Sequence, residues 1–149
     1  MQQSCIRGRA DPSKDAMSVR FSDAYVDRLF EQRDLPGLHH LISVLGRDRD
    51  LPCELWLFCR MLEWMGSTRS GVWQYYEGVS QETFQKISGS LDKYGFAELA
   101  EKYRHGKEAW DGSERAASLD KWIDTHEVQI EEWLLDLAIR ARDSLKEGR

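Results

Sequence analysis

Apolar residues recur at helical spacing along most of the 149-residue chain. The pattern predicts a helix over residues 21–30, capped by Ser22, and a second helix over residues 35–45 that ends at Gly46. Residues 51–65 are apolar nearly all round, which is typical of a helix that is buried on most sides. No segment shows the alternation of apolar and polar residues that would predict a strand. The chain is therefore expected to be all-α, built around the helix at residues 51–65.

The second half of the chain carries further helical stripes. One covers residues 84–94 and another covers residues 96–110, and Gly95 between them predicts a helical hairpin. A helix capped by Asp111 or Ser113 is expected to run to residue 124, and the clearest helical period follows at residues 130–145. These segments predict a single compact domain of about seven or eight helices over residues 18–149. Residues 1–17 show no period and are expected to form a disordered tail, with Met17 as a candidate start.

Acidic residues concentrate toward the C-terminal end of the chain, whose net charge is −5. Residues 108–136 hold nine acidic residues and two basic ones, Arg115 and Lys121. Such a segment repels nucleic acid and suits a basic partner, although an ordinary solvated helix face has the same composition. The candidate partner-binding carboxylates are those of Asp111, Glu114, Asp120, Asp124, Glu127, Glu131 and Glu132.

Some of these carboxylates are spaced as a line along a helix. The line consists of Asp120, Asp124, Glu127 and Glu131. On one continuous helix, neighbours three or four residues apart have Cβ atoms roughly 5–6 Å apart. That distance is close to the spacing of phosphates along a nucleic-acid strand, so the line could imitate a DNA backbone. Residues 124–127 also match a capping box, which would break the helix there and bend the line.

The most distinctive segment is the sequence RSGVWQYY at residues 69–76. Its glycine permits a turn with positive φ or a close backbone approach. The rings that follow are large and apolar, and their polar tips need a partner when they are buried. The segment suits core packing, a partner-binding patch, or base stacking on single-stranded nucleic acid, and the acidic surroundings argue against base stacking. The residues of this aromatic motif are Gly71, Trp73, Gln74, Tyr75 and Tyr76.

The motif and the helices around it resemble a family of small, all-helical bacterial proteins of unknown function. The family pattern runs roughly Asn-Gly-Gly-Phe-aromatic-Gln-Tyr-Phe, then an Asn, then two helices separated by a Gly. Here Arg69, Ser70 and Gly71 stand at the first positions, and residues 77–78 (Glu-Gly) stand where the Asn is expected. The resemblance covers residues 55–145, mainly 55–110. One member of the family is a DNA mimic that binds a transcription regulator, so the resemblance implies a helical fold and makes DNA mimicry the sharpest functional hypothesis.

Catalytic motifs are not evident in the sequence. There is no P-loop, no GxGxxG, no GxSxG and no HExxH. The adjacent histidines at residues 39–40 face different directions and are poor joint metal ligands. His126 lies on an apolar stripe and is expected to be a hydrogen-bonded boundary residue rather than a base. An unrecognised enzyme pocket around Glu54, Arg60 and Trp73 is the remaining catalytic hypothesis.

The cysteines and the hydropathy bear on the compartment. Cys5, Cys53 and Cys59 form no CxxC pair, so free and mostly buried thiols in a reducing compartment are expected. No segment approaches the ~18 apolar residues of a membrane span, and no apolar signal-peptide core is evident. We therefore expect a cytoplasmic protein without a cofactor or a metal.

The leading hypothesis is a non-catalytic domain whose acidic face binds a protein partner with a basic surface. The partner is expected to be a transcription regulator, engaged by DNA mimicry. The alternative is that this chain is an immunity or antitoxin protein and that its partner is a nuclease-like toxin, which it neutralises. Neither direct nucleic-acid binding nor membrane association is expected, and a homodimer is a further option.

Overall fold

The computed structural model describes residues 4–6, 20–108 and 113–146, and of residues 4–6 only the backbone. This part of the chain is overwhelmingly helical, which confirms the predicted all-α class. Its α-helices are α1 (Asp23–Glu31), α2 (Leu35–Leu45), α3 (Cys53–Gly66), α4 (Val72–Gly78), α5 (Gln81–Lys93), α6 (Ala97–His105), α7 (Glu114–Thr125) and α8 (Glu127–Arg140). None of the helices described is long and apolar enough to cross a membrane.

Short elements complete the described structure. The strands β1 (Ser4–Ile6) and β2 (Leu51–Pro52) pair antiparallel, with Ser4 opposite Pro52. They are too short to show an alternating pattern, so the sequence predicted neither. Of the tail predicted at residues 1–17, β1 is the described part, and the remaining residues lie outside the described ranges. Single 3₁₀ turns cover Ser67–Arg69, Gly106–Glu108 and Arg142–Leu145.

Side-chain caps set the start of several helices. In each case the cap oxygen accepts a hydrogen bond from the backbone N–H three residues on, which satisfies a donor that the helix itself leaves unpaired. Ser22 and Ser113 act in this way, as predicted, while the other candidate cap, Asp111, lies outside the described residues. Asp34 and Ser80 cap α2 and α5.

The chain forms two compact units. The first unit comprises Met1–Cys59 and Leu134–Arg149. Its described residues include α1, α2, the strand pair, the beginning of α3 and the end of α8. The side chains with no exposed surface in this unit are those of Val26, Leu38, Ile42, Leu55, Leu57, Phe58, Leu137 and Ala138.

An ionic cluster ties the C-terminal turn of the first unit to α1. The carboxylate of Asp27 accepts hydrogen bonds from the Arg142 guanidinium, and Lys146 Nζ lies 3.0 Å from the same carboxylate. The Arg142 guanidinium also lies 5.0 Å from the centroid of the Phe30 ring. The hydrogen bonds from Arg142, and then those from Lys146, lower the pKa of Asp27 below its ordinary value.

The second unit comprises Arg60–Trp133. It contains the end of α3, helices α4 to α7 and the beginning of α8. Helices α5 and α6 form the predicted hairpin, and the connecting Gly95 adopts a positive φ of 88°. The side chains with no exposed surface in this unit are those of Met61, Trp64, Val72, Ile87, Leu91, Ala100, Tyr103 and Ile130.

Helix α3 is apolar on nearly every side, as predicted for the central helix. Leu55, Leu57, Phe58, Met61 and Trp64 are all completely buried. Together with the buried Cys59, these positions occupy most of the circumference of a helix with 3.6 residues per turn, and the remaining side carries the half-buried Arg60 and the exposed Glu63.

The cysteines differ from the prediction. Cys53 is disulfide-bonded, so the expectation that all three thiols are free is wrong. Cys59 is buried and is not disulfide-bonded, which means that the bond does not join the two cysteines of α3. The spacing of the cysteines in the sequence could not predict this disulfide, because only motifs such as CxxC place both bonded cysteines close together in sequence. Disulfides persist mainly in oxidising compartments, the opposite of the reducing environment that the sequence suggested.

Candidate functional site

The aromatic motif forms the core of a hydrogen-bonded ring cluster in the second unit. Trp64 Nε1 donates to the Tyr76 hydroxyl at 2.9 Å, and that hydroxyl donates to the backbone oxygen of Tyr103 at 2.5 Å. The hydroxyls of Tyr75 and Tyr103 lie 2.6 Å apart. Phe84 stacks on the Tyr103 ring with centroids 5.3 Å apart. The polar tips therefore have the partners that buried aromatic rings require.

These tyrosines are held in their neutral form. Burial raises the pKa of Tyr76 and of Tyr103 well above the ordinary tyrosine range, and burial also raises the pKa of Tyr75. Because Tyr76 and Tyr103 are buried and hydrogen-bonded, this part of the motif packs as core, which is the first of the three interpretations.

The start of the motif depends on a glycine. Gly71 adopts a φ of 97°, and a Cβ placed on it would lie 2.7 Å from Trp73 Nε1. Both the positive φ and the close approach predicted from the sequence are therefore present. Within α4, Val72 is buried and Trp73 is half-buried, while Gln74 is exposed.

A second glycine also supports the cluster, and the sequence did not predict this role. Gly106, just after α6, is buried, and a Cβ at this position would overlap the ring of Tyr76. Any larger residue would push the ring out of its hydrogen-bonded position. Local spacing could not have identified this contact, because the two residues belong to different helical segments.

The predicted acidic residues fall into distinct environments. Asp111 lies outside the described residues. Asp120 is half-buried, and its Oδ1 accepts a hydrogen bond from the backbone N–H of Val72 at 2.9 Å. Glu131 is half-exposed. The exposed members of the set are Glu114, Asp124, Glu127 and Glu132.

The predicted line of carboxylates does not follow one continuous helix. Helix α7 ends at Thr125 and α8 begins at Glu127, with His126 between them. The anticipated break is therefore present, but it is not a capping box, because Asp124 lies inside α7. His126 is a hydrogen-bonded boundary residue, as predicted, since its Nδ1 lies 2.8 Å from the Trp122 backbone oxygen.

An exposed apolar side chain lies beside carboxylates near the start of α8. Val128 is 75% exposed, the larger of the two such values among large hydrophobic residues of the described chain. Glu131 and Glu132 follow it by three and four residues, so both lie beside Val128 on the helix surface. We define the acidic patch as Asp124, Glu127, Val128, Glu131 and Glu132.

A cleft of about 270 Å³ lies between α6 and α7. Both helices contribute lining residues. These are Lys102 and His105 from α6, and Leu119, Lys121 and Trp122 from α7. His126 stacks on Trp122 with centroids 4.4 Å apart, and Lys102 Nζ lies 5.5 Å from the centroid of the Trp122 ring. None of the lining residues carries a carboxylate. We call this feature the basic cleft.

The residues of the catalytic hypothesis lie in different surroundings. Arg60 forms an ion pair with Glu63 one turn along α3, with Nε and Oε2 3.1 Å apart. Trp73 lies against Gly71, and Glu54 is buried in the first unit. In the described ranges, no group of three or more His, Cys, Asp or Glu side chains is arranged to hold a metal ion.

Comparison with known proteins gives no neighbour for this chain. No family model, no curated protein and no solved structure matches it. The resemblance to the family of small helical proteins therefore stays a prediction, and the functional argument depends on the geometry of the described residues.

Proposed function

We propose that this chain is a non-catalytic protein-binding domain that engages a basic partner through the acidic patch. The observation that carries the proposal is the exposure of Val128 among carboxylates. The Val128 side chain offers a partner apolar surface to bury, and burial of apolar surface favours association. Protein interfaces combine an apolar centre with a polar rim, and this patch has both on a small scale.

The charge around the patch favours a basic partner. Residues 113–133 contain six acidic residues and two basic ones. One of the two, Arg115, is paired with Glu108, with Nη1 and Oε2 3.0 Å apart. The carboxylates of the patch therefore project a negative potential that steers positively charged surfaces and repels nucleic acid.

Three of the residues predicted for the binding face are left out of the proposed contact, and of these Asp111 lies outside the described residues. The carboxylate of Asp120 already accepts the Val72 N–H. Glu114 begins α7, ten residues before Asp124 and about 15 Å from it along the helix axis. The proposed contact is accordingly smaller and more local than the line drawn from the sequence.

Two kinds of basic partner fit this patch. DNA mimicry toward a transcription regulator would use the carboxylates in place of phosphates, at the roughly 5–6 Å spacing of helix neighbours. An immunity or antitoxin role toward a nuclease-like toxin is the second candidate, and the exposed Val128 favours it, because a phosphate backbone has no apolar counterpart. If this chain binds its partner by mimicking DNA, duplex DNA competes with the chain for that partner. A toxin held away from its nucleic-acid groove shows no competition.

A differential capture experiment tests the proposal. The patch variant carries Asp124→Lys, Glu127→Lys and Glu132→Lys. The matched control carries Glu77→Lys, Glu98→Lys and Glu101→Lys, which are also exposed and belong to the same unit. Each set contains the penultimate residue of a helix, a first-turn residue and a mid-helix residue, so their intrinsic helix costs are matched.

Wild-type protein, patch variant and control variant are each used as bait in lysate of the source cells, and captured proteins are identified by mass spectrometry. We expect a basic protein that wild type and control retain and the patch variant loses. If all three baits retain the same proteins, or if only neutral and acidic proteins distinguish them, the acidic patch is not the binding face. Unchanged helical content by circular dichroism shows that both variants are folded.

A further inference from the structure

The basic cleft is a concave feature that the acidic patch does not explain. It lies in the most acidic third of the chain, yet Lys102, His105, Lys121 and His126 line it and no carboxylate does. The selection of basic side chains by the fold points to a negatively charged occupant.

The aromatic wall of the cleft is fixed in position. The carbonyl oxygen of Trp122 can only accept a hydrogen bond, so His126 Nδ1, 2.8 Å away, carries the proton in this contact. That bond holds the histidine ring nearly parallel to Trp122, at an interplanar angle of 17°. Leu119, which is almost completely buried, adds an apolar contact to the lining. The cleft thus combines positive charge with a preorganised pair of stacked rings, with Lys102 Nζ over the ring of Trp122.

The chemistry of the lining favours phosphate over carboxylate. Lysines bind phosphate as point charges, whereas planar carboxylates are recognised best by the arginine fork, and no arginine lines the cleft. The nearby Arg115 is engaged elsewhere, by Glu108 and by the backbone oxygen of His105. A phosphomonoester carries about −1.5 to −2 charges at neutral pH, which matches two lysines.

Two hydroxyl side chains, those of Ser118 and Thr125, also line the cleft, and its size limits the ligand. Thr125 Oγ1 donates to the Lys121 backbone oxygen at 2.6 Å, so the threonine hydroxyl is used within α7. The volume of about 270 Å³ lies just below the range of pockets for drug-sized ligands, which begins at about 300 Å³. We propose that the basic cleft binds a small phosphomonoester whose flat organic group packs on Trp122.

Calorimetric titration with four probes tests this proposal. The probes are phenyl phosphate, inorganic phosphate, benzoate and phenol. We expect phenyl phosphate to bind most tightly, inorganic phosphate about tenfold or more weakly, and phenol not at all, because the charge contributes most of the affinity and the ring adds to it. Benzoate binding as tight as phenyl phosphate binding overturns the phosphate assignment.

Matched lysine variants locate the binding. Lys102→Gln with Lys121→Gln removes both lysines of the cleft. Lys86→Gln with Lys93→Gln is the control, because Lys93 Nζ also lies 5.5 Å from an aromatic centroid, that of Tyr94, but lines no part of the cleft. We expect the cleft pair to weaken phenyl phosphate binding about tenfold or more and the control pair to leave it within about twofold. Equal losses in both pairs, or no loss in either, overturn the proposal.

Trp122→Leu separates the aromatic contact from the charge. The variant is expected to abolish the preference for phenyl phosphate over inorganic phosphate while inorganic phosphate still binds. If the preference is unchanged, the flat group does not pack on Trp122 and that part of the proposal is wrong. The lysine variants change exposed or half-exposed side chains, so they keep the test valid even if Trp122→Leu lowers the melting temperature.

Discussion

Asp120 Oδ1 accepts the backbone N–H of Val72 at 2.9 Å, across 48 residues of sequence. Val72 is the first residue of α4, and Gly71 before it has no side chain to cap the helix. The carboxylate on α7 therefore satisfies one of the donors that α4 leaves unpaired at its start. Asp120 was predicted to be part of the binding face because of its charge, but in the structure it holds the start of the aromatic motif in place.

Asp120 and Asp124 are expected to have opposite mutational effects. Asp120→Ala should lower the free energy of unfolding by about 1–2 kcal/mol, because Val72 N–H loses its acceptor, and should leave partner affinity unchanged. Asp124→Ala should change stability by less than about 0.5 kcal/mol and weaken partner binding. Urea unfolding monitored by circular dichroism measures the first effect. If Asp124→Ala is the more destabilising of the two, the roles assigned to these residues are wrong.

Tyr76 and Tyr75 provide a second contrast. Tyr76→Phe leaves Trp64 Nε1 and the Tyr103 backbone oxygen without the hydroxyl that joins them, so a loss of about 1–3 kcal/mol is expected. Tyr75→Phe removes one contact, to the Tyr103 hydroxyl, from a half-buried side chain, and the loss should be below about 1 kcal/mol. Equal effects on the unfolding midpoint would mean that the buried hydroxyl bonds do not stabilise the cluster.

Gly106 and Gly89 should respond to alanine with opposite signs. A Cβ at Gly106 overlaps the Tyr76 ring, so Gly106→Ala is expected to destabilise by about 1–3 kcal/mol. Gly89 lies inside α5, and a Cβ added there would have no heavy atom of another residue within 4 Å, so Gly89→Ala should stabilise by about 0.5–1 kcal/mol. Thermal melting distinguishes the two, and a neutral Gly106→Ala would show that Tyr76 has room to move.

Asp27 should make the protein sensitive to acid. Its pKa is lowered by Arg142 and Lys146, so the folded state keeps this carboxylate charged at a pH where the unfolded chain takes up a proton. The stability that it adds is present above about pH 4 and is lost as the pH falls further. The melting temperature of Asp27→Asn should therefore lie below that of wild type at neutral pH and converge with it in acid. Asp48→Asn, which removes the carboxylate of an exposed aspartate in the same unit, is the control for the change in net charge.

The helices could be predicted because each carries a continuous apolar stripe and several begin at a serine cap. The glycine at position 95 was recognisable for the same local reason, since it interrupts two stripes. The contact of Asp120 with Val72 could not be predicted, because it joins residues 48 positions apart and depends on how α4 and α7 pack. The basic cleft was hidden by composition, because an acidic charge count over residues 108–136 gives no indication that two lysines line one depression.

The affinity of the captured partner for three purified proteins, measured against salt, tests the acidic patch most directly. We predict that wild type and the control with Glu77→Lys, Glu98→Lys and Glu101→Lys bind equally and weaken steeply with salt. Screening shortens from about 10 Å at 0.1 M to about 3 Å at 1 M, which removes electrostatic attraction at the patch. The variant with Asp124→Lys, Glu127→Lys and Glu132→Lys should show no binding at any salt concentration. Salt-independent binding by the wild type, or equal binding by the two variants, would contradict the proposed function.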